Sequence, residues 1–132
     1  MRRAVDTNIL VRAMVDEGHE ENRIAMKLLE SQNLLIPVTA LLEAEWVLRS
    51  VYGASRAVIG ALFSNLLGAA NLVIQDYDAV AEALTAHSAG MDFADALHIF
   101  RSIDCEAFLT FDKPLIRASQ RIPVPLPVVR PA

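Results

Sequence analysis

The feature that most constrains this chain is the alternation of short apolar runs with stretches of helical period. "RRAV" reads as a first strand and "NILVRAMV" as a short helix. "GHEENRIAMKLLESQ" is an amphipathic helix with Ile24, Ala25, Met26, Leu28 and Leu29 on its apolar side. "NLLIP" is a second strand, closed by Pro37. "VTALLEAEWVLRSVYG" is a third helix ended by Gly53, and "SRAVIGALFSNLLGA" a fourth with Ser55 as its N-cap. "NLVIQ" is a third strand. "DYDAVAEALTAHSAG" is a fifth helix capped by Asp76 and stopped at Gly90, and "DFADALHIFRSI" a sixth. "EAFLTF" is a fourth strand and "PLPVV" a weak fifth. Strands separated by helices specify an α/β fold with a mainly parallel sheet and right-handed crossovers. In such a sheet strand C-termini and helix N-termini gather at one edge, where ligands bind.

The length of 132 residues suits a single domain, residues 1–132, with a core large enough to need no disulfide or metal staple. Hydrophobic residues make up 54%, so some apolar surface either covers a partner or fills an unusually apolar interior. The one cysteine, Cys105, excludes an internal disulfide and a thiolate metal cluster, and between Asp104 and Glu106 it reads as an inert, half-buried thiol. "AVIGALFSNLLGAANLVI" comes nearest to a membrane span, but Gly60, Ser64, Asn65, Gly68 and Asn71 interrupt it. Met1-Arg2-Arg3 leads into too few apolar residues for a secretory signal. The expectation is a soluble cytoplasmic protein. The net charge of −4 supplies no global positive field to recruit nucleic acid. A local cation site built from acids, with a few arginines, is compatible with that balance.

Most of the 16 acidic residues have ordinary explanations. Glu45 stands four residues before Arg49, the favourable order for a pair on an exposed helix face. Asp16, Glu17, Glu20 and Glu21 suit a loop and a first helical turn. Asp78 and Glu82 lie on the solvated side of the fifth helix. Five acids are different. Asp6 ends the first strand and Asp112 the fourth, while Asp92 and Asp95 open the sixth helix. All four fall on the ligand edge. Glu43 has Thr39, Trp46 and Val47 as its helical neighbours and no basic partner. A carboxylate sharing a face with bulky apolar groups is either displaced toward solvent or met by a positive charge. Asp92 and Asp112 would each serve as an N-cap when taken singly. Together the acids form a cluster of like charge, which needs a cation. Oxygen ligands without Cys or His suit Mg²⁺ or Mn²⁺, ions able to activate water against a phosphodiester.

"VDTNIL", "VTALLEAEWVLRSVYG", "DFADALH" and "LTFDKPL", in that order and spacing, resemble a PIN-domain ribonuclease, and most of all the VapC-type toxins of prokaryotic VapBC toxin–antitoxin pairs. The resemblance covers essentially the whole chain. It implies a PIN-like αβα sandwich, a five-stranded parallel sheet flanked by about six or seven helices. It implies an endoribonuclease dependent on Mg²⁺ or Mn²⁺ and acting on single-stranded RNA. By the same likeness Asp6, Glu43, Asp95 and Asp112 are the catalytic and metal-holding acids, with Asp92 as an accessory ligand. Thr7 and Asn8 orient Asp6 or hold water or phosphate, and Thr110 hydrogen-bonds an acid. Arg12, Arg49, Lys113 and Arg117 are candidates to touch RNA phosphates or an antitoxin, against the plainer reading as solvated or paired charges. His98 reads as a partly buried helix residue. The implied partners are the RNA substrate, a cognate antitoxin and a second copy in a homodimer, possible units of a higher toxin–antitoxin complex. The helix "VIGALFSNLLGAANL" would supply dimer surface if exposed.

Other classes fit less well. A phosphoacceptor receiver needs an acceptor Asp closing its third strand and a Lys at its fifth. Here "LVIQD" and "PVPLPVVRPA" stand in those places. A haloacid-type phosphatase needs a second Asp where Asn8 stands. A PIN nuclease for RNA processing or quality control, rather than a toxin, is the nearer alternative.

Overall fold

A computed structural model describes residues 1–132. The chain falls into two compact units, Met1–Tyr77 and Asp78–Ala132. The N-terminal unit runs β1 (Arg3–Ala4), α1 (Thr7–Met14), α2 (Glu20–Ser31), β2 (Leu34–Ile36), α3 (Val38–Ser50), α4 (Arg56–Gly68) and β3 (Leu72–Ile74), and α5 (Tyr77–Ser88) begins at its boundary. The C-terminal unit continues with α6 (Phe93–Phe100), β4 (Phe108–Leu109), α7 (Lys113–Arg121) and β5 (Val128–Val129). All the expected elements are present and the class is α/β.

In the N-terminal unit the sheet order is β1-β2-β3, all parallel. Parallel neighbours cannot be joined by a hairpin, so each connection crosses through a helical pair. Leu34 pairs with Leu72 and Ile36 with Ile74. These four are buried, while Val73 between them is exposed, the alternation of a pleated strand. α1 packs on α2 and α3. Leu10, Leu41, Ala44, Leu48, Ile59 and Phe63 have almost no exposed surface.

The five expected strands all pair in parallel, but as hydrogen-bonded ladders they form a three-stranded sheet and a two-stranded one, β4-β5. Strand length accounts for this. β1, β4 and β5 are two residues each. Pro123, Pro125 and Pro127 precede β5 and supply no N–H, so only Val128–Val129 pair.

Side-chain amides tie the elements of the N-terminal unit. Asn22 is fully buried; its Nδ2 donates to the carbonyls of Arg12 and Val15, and its Oδ1 accepts the His19 N–H. It thereby closes the end of α1 against the start of α2. Asn71 Nδ2 donates to the carbonyls of Leu29 and Gln32. Gln75 Oε1 accepts the Val38 N–H at 2.9 Å. That is an orphan donor at the start of α3, which its N-cap residue, Pro37, does not satisfy through a side chain.

Helix punctuation follows the sequence with one exception, Asp76. Ser55 caps α4 through the Val58 N–H. Gly53, at φ 65°, lets the Ala54 N–H reach back to the Leu48 carbonyl at 2.9 Å. Asp76 takes a left-handed conformation, φ 55°, rather than the extended backbone of a capping residue. On α2, Ala25 is buried and Ile24 is exposed, which narrows the expected apolar side. Cys105 and His98 are exposed, not half-buried. α4 buries Ile59, Phe63 and Leu66 and leaves Val58 outside. No helix is long and apolar enough to cross a membrane.

Candidate active site

In the N-terminal unit Asp6 directly follows β1 and caps α1, its Oδ1 accepting the Ile9 N–H at 3.2 Å. The cap uses one carboxylate oxygen of an exposed residue, which leaves the second for another partner. Thr7 and Asn8 are the first residues of α1, half-buried and exposed respectively, and neither bonds the Asp6 carboxylate. Arg12 lies near Glu17 and Glu21, at 3.9 and 3.7 Å, loose pairs at the surface.

α3 starts from the same C-terminal edge of the sheet, and Glu43 lies about 7–8 Å along its axis. The face expected to confront Glu43 with buried apolar groups is instead solvent-facing. Thr39, Glu43, Trp46 and Ser50 are all exposed, Trp46 at 56%. The carboxylate turned inward is Glu45, only 2% exposed, and Arg49 Nε donates to its Oε2 at 2.9 Å. The expected Glu45–Arg49 pair therefore forms, but on the buried side of α3. Helical period explains the exchange. Ala40, Leu41, Ala44 and Leu48 set the core face, and residues two apart point about 200° apart around a helix. Glu45 falls inside that face and Glu43 opposite it. The alanines among these core positions are the signal that would have turned Trp46 outward; its bulk argued the other way.

In the C-terminal unit Asp92 caps α6, its Oδ2 accepting the Asp95 N–H at 3.1 Å. Asp112 caps α7, its Oδ1 accepting the Leu115 N–H at 3.0 Å, with Pro114 in the first turn. The Asp112 N–H in turn donates to Thr110 Oγ1 at 3.0 Å. Thr110 thus positions the acid through its backbone and does not bond a carboxylate. Lys113 and Arg117 follow on α7, both exposed. Phe111, beside Asp112, is 70% exposed, with the Arg130 guanidinium over its ring at 5.2 Å. No sequence signal singled out that pair.

Asp95, in the first turn of α6, is half-buried. Burial first, then the negative charges of Asp92 and Asp112, push its carboxyl above the ordinary carboxylate range; His98 opposes them. Three acids expected to act together are thus electrostatically coupled in this unit. A divalent cation would relieve that repulsion, and the all-oxygen donor set suits a hard ion. No three His, Cys, Asp or Glu side chains gather closely enough to form a cage.

The family profile described as "PIN domain" matches residues 3–120, a stretch running through both units. Among curated proteins none matches the chain.

Proposed function

The chain belongs to the PIN-domain family, whose members are generally metal-dependent nucleases, and from that premise we propose that it is an endoribonuclease, the toxin of a prokaryotic type II pair of the VapC kind. The observation that carries the catalytic reading is the half-buried Asp95 beside the charges of Asp92 and Asp112, carboxylates whose mutual repulsion a cation would relieve. By the family likeness Asp6, Glu43, Asp95 and Asp112 would hold Mg²⁺ or Mn²⁺, and Asp92 would assist. The metal, when bound, supplies water activation and neutralises charge developing on the phosphodiester. The chain's own groups supply orientation. Asp6, Asp92 and Asp112 each spend one oxygen on a helix cap, so each carboxylate is fixed before substrate arrives. Thr110 sets the Asp112 backbone, and Thr7 and Asn8, the first residues of α1, would hold a water or phosphate beside Asp6. Arg12, Arg49, Lys113 and Arg117 would contact phosphates or an acidic antitoxin segment. Cytoplasmic location and a homodimer, alone or in a larger toxin–antitoxin complex, belong to the same reading.

Purified protein should cut a single-stranded RNA with Mg²⁺ or Mn²⁺, and EDTA should stop it. Asp6→Asn and Asp95→Asn should both be inactive; activity equal to wild type in either sinks the catalytic reading. For the toxin role, induced expression should arrest growth, and the product of a neighbouring small gene should relieve the arrest. Cutting without arrest would mark an RNA-processing nuclease instead.

A further inference from the structure

We infer that Trp46 is a stacking platform for a nucleobase of the strand engaged at Glu43, an inference that rests on the nuclease reading above. Trp46 is the chain's one tryptophan and is 56% exposed. A large apolar ring on a helix that buries its other face would ordinarily turn inward. Here it stands on the outward stripe of α3, with Thr39, Glu43 and Ser50. Glu43 is one turn away, about 4.5 Å along the axis. A base lying on the indole therefore keeps its backbone within reach of the Glu43 carboxylate.

The surroundings favour nucleic acid over protein. The stripe carries a carboxylate and two hydroxyls, not a run of apolar side chains that a protein partner would cover. Val51 and Tyr52 are exposed just beyond, but the Tyr52 hydroxyl donates to Glu17 Oε1 at 3.2 Å. Arg49, three residues past Trp46, has its guanidinium held by the buried Glu45 at 2.9 Å. A strand stacked on Trp46 would carry its phosphates past Arg49, three residues along the same helix, and a cation with an aromatic ring is the combination that binds single strands. Stacking accepts any base, so this contact would set affinity and strand form rather than cleavage sequence.

The test uses the fluorescence of the chain's single tryptophan. In Asp95→Asn protein with Mg²⁺, a short single-stranded RNA should quench Trp46 fluorescence saturably, and the same RNA as a duplex should not. Trp46→Ala should weaken oligonucleotide binding by about tenfold, and Trp46→Phe should keep most of the affinity. In otherwise wild-type protein, Trp46→Ala should raise KM by a similar factor and leave kcat within about twofold, the pattern of lost uniform binding. Normal RNA cleavage by wild type, with no quenching and unchanged affinity in Trp46→Ala, overturns the stacking role and leaves the nuclease reading intact. A change of sedimentation state in Trp46→Ala, with RNA affinity unchanged, overturns it in favour of a second copy of the chain at this face. Absence of both cleavage and RNA binding in wild type removes the nuclease reading and the platform with it.

Discussion

The two units treat their polar groups in opposite ways. In Met1–Tyr77 the buried and half-buried ones are matched from within. Asn22 makes three hydrogen bonds, Asn71 two, and Glu45 holds Arg49. In Asp78–Ala132 the half-buried Asp95 meets two further negative charges, and only His98 opposes them. Matched groups lower the energy of the folded chain by themselves. An unrelieved carboxylate raises it and waits for something from outside. The difference separates residues that hold the fold from residues that use it, and each side of it can be tested.

The largest effect should come from the strained side. Asp95→Asn keeps the shape and removes the charge. Metal and phosphate stabilisation is worth several kcal/mol, so RNA cleavage should fall by at least about a hundredfold. Thermal stability of the metal-free protein should hold or rise, since a repelled charge has gone. A clear fall in melting temperature would place Asp95 with the structural groups and dissolve the contrast.

The matched side should behave in reverse. Asn22→Ala leaves the Arg12 and Val15 carbonyls and the His19 N–H without their partner. Part-buried groups stripped of partners cost about 1–3 kcal/mol each at most, and about 2–4 kcal/mol in total is expected. Urea unfolding should show it, with the cleavage rate per folded molecule little changed.

Neither Asn22 nor Glu45 stood out in the sequence, and the reason is physical. An Asn near a helix start reads as a turn or cap residue, and its three bonds go to groups up to ten positions away. The Glu45–Arg49 spacing was legible, but which face of α3 is buried depends on what packs there, and the bulk of Trp46 pointed the wrong way. The alternation of strands and helices gave the α/β class because parallel strands must be separated by crossovers. It overstated β1, β4 and β5, because an apolar run does not fix how many ladder hydrogen bonds form, and for β5 the preceding prolines supply no N–H. Of the site, the cap roles of Asp92 and Asp112 were readable because capping is local. Their like-charge grouping with Asp95 was expected as well; that burial is the largest cause raising Asp95 was not, since it depends on how α6 packs in space.

A smaller effect is the pH dependence of the metal-free protein. The Asp95 carboxyl is raised above its ordinary value of 3.8 by burial and by Asp92 and Asp112. Between the ordinary and the raised value the folded chain binds more protons than the unfolded one. Stability therefore falls as pH rises through that window, and the loss is complete above it. Melting temperatures across the acid range should show this component, and Asp95→Asn should abolish it. Mg²⁺ should restore stability above the window in wild type and not in Asp95→Asn. An equal response of both proteins to Mg²⁺ would move the ion away from Asp95.

The smallest effect dissects a residue that belongs to both classes. Asp112 caps α7 with one oxygen and is proposed to hold the metal with the other. Asparagine caps about as well as aspartate, whereas alanine cannot accept the Leu115 N–H. Asp112→Ala should therefore cost about 1 kcal/mol of stability, and Asp112→Asn only a few tenths. If the carboxylate served only the cap, cleavage by Asp112→Asn would follow its stability and remain near wild type. If the second oxygen holds the ion, both variants lose cleavage together while their stabilities differ. The comparison is clean because the two substitutions share the lost charge and differ in the retained acceptor.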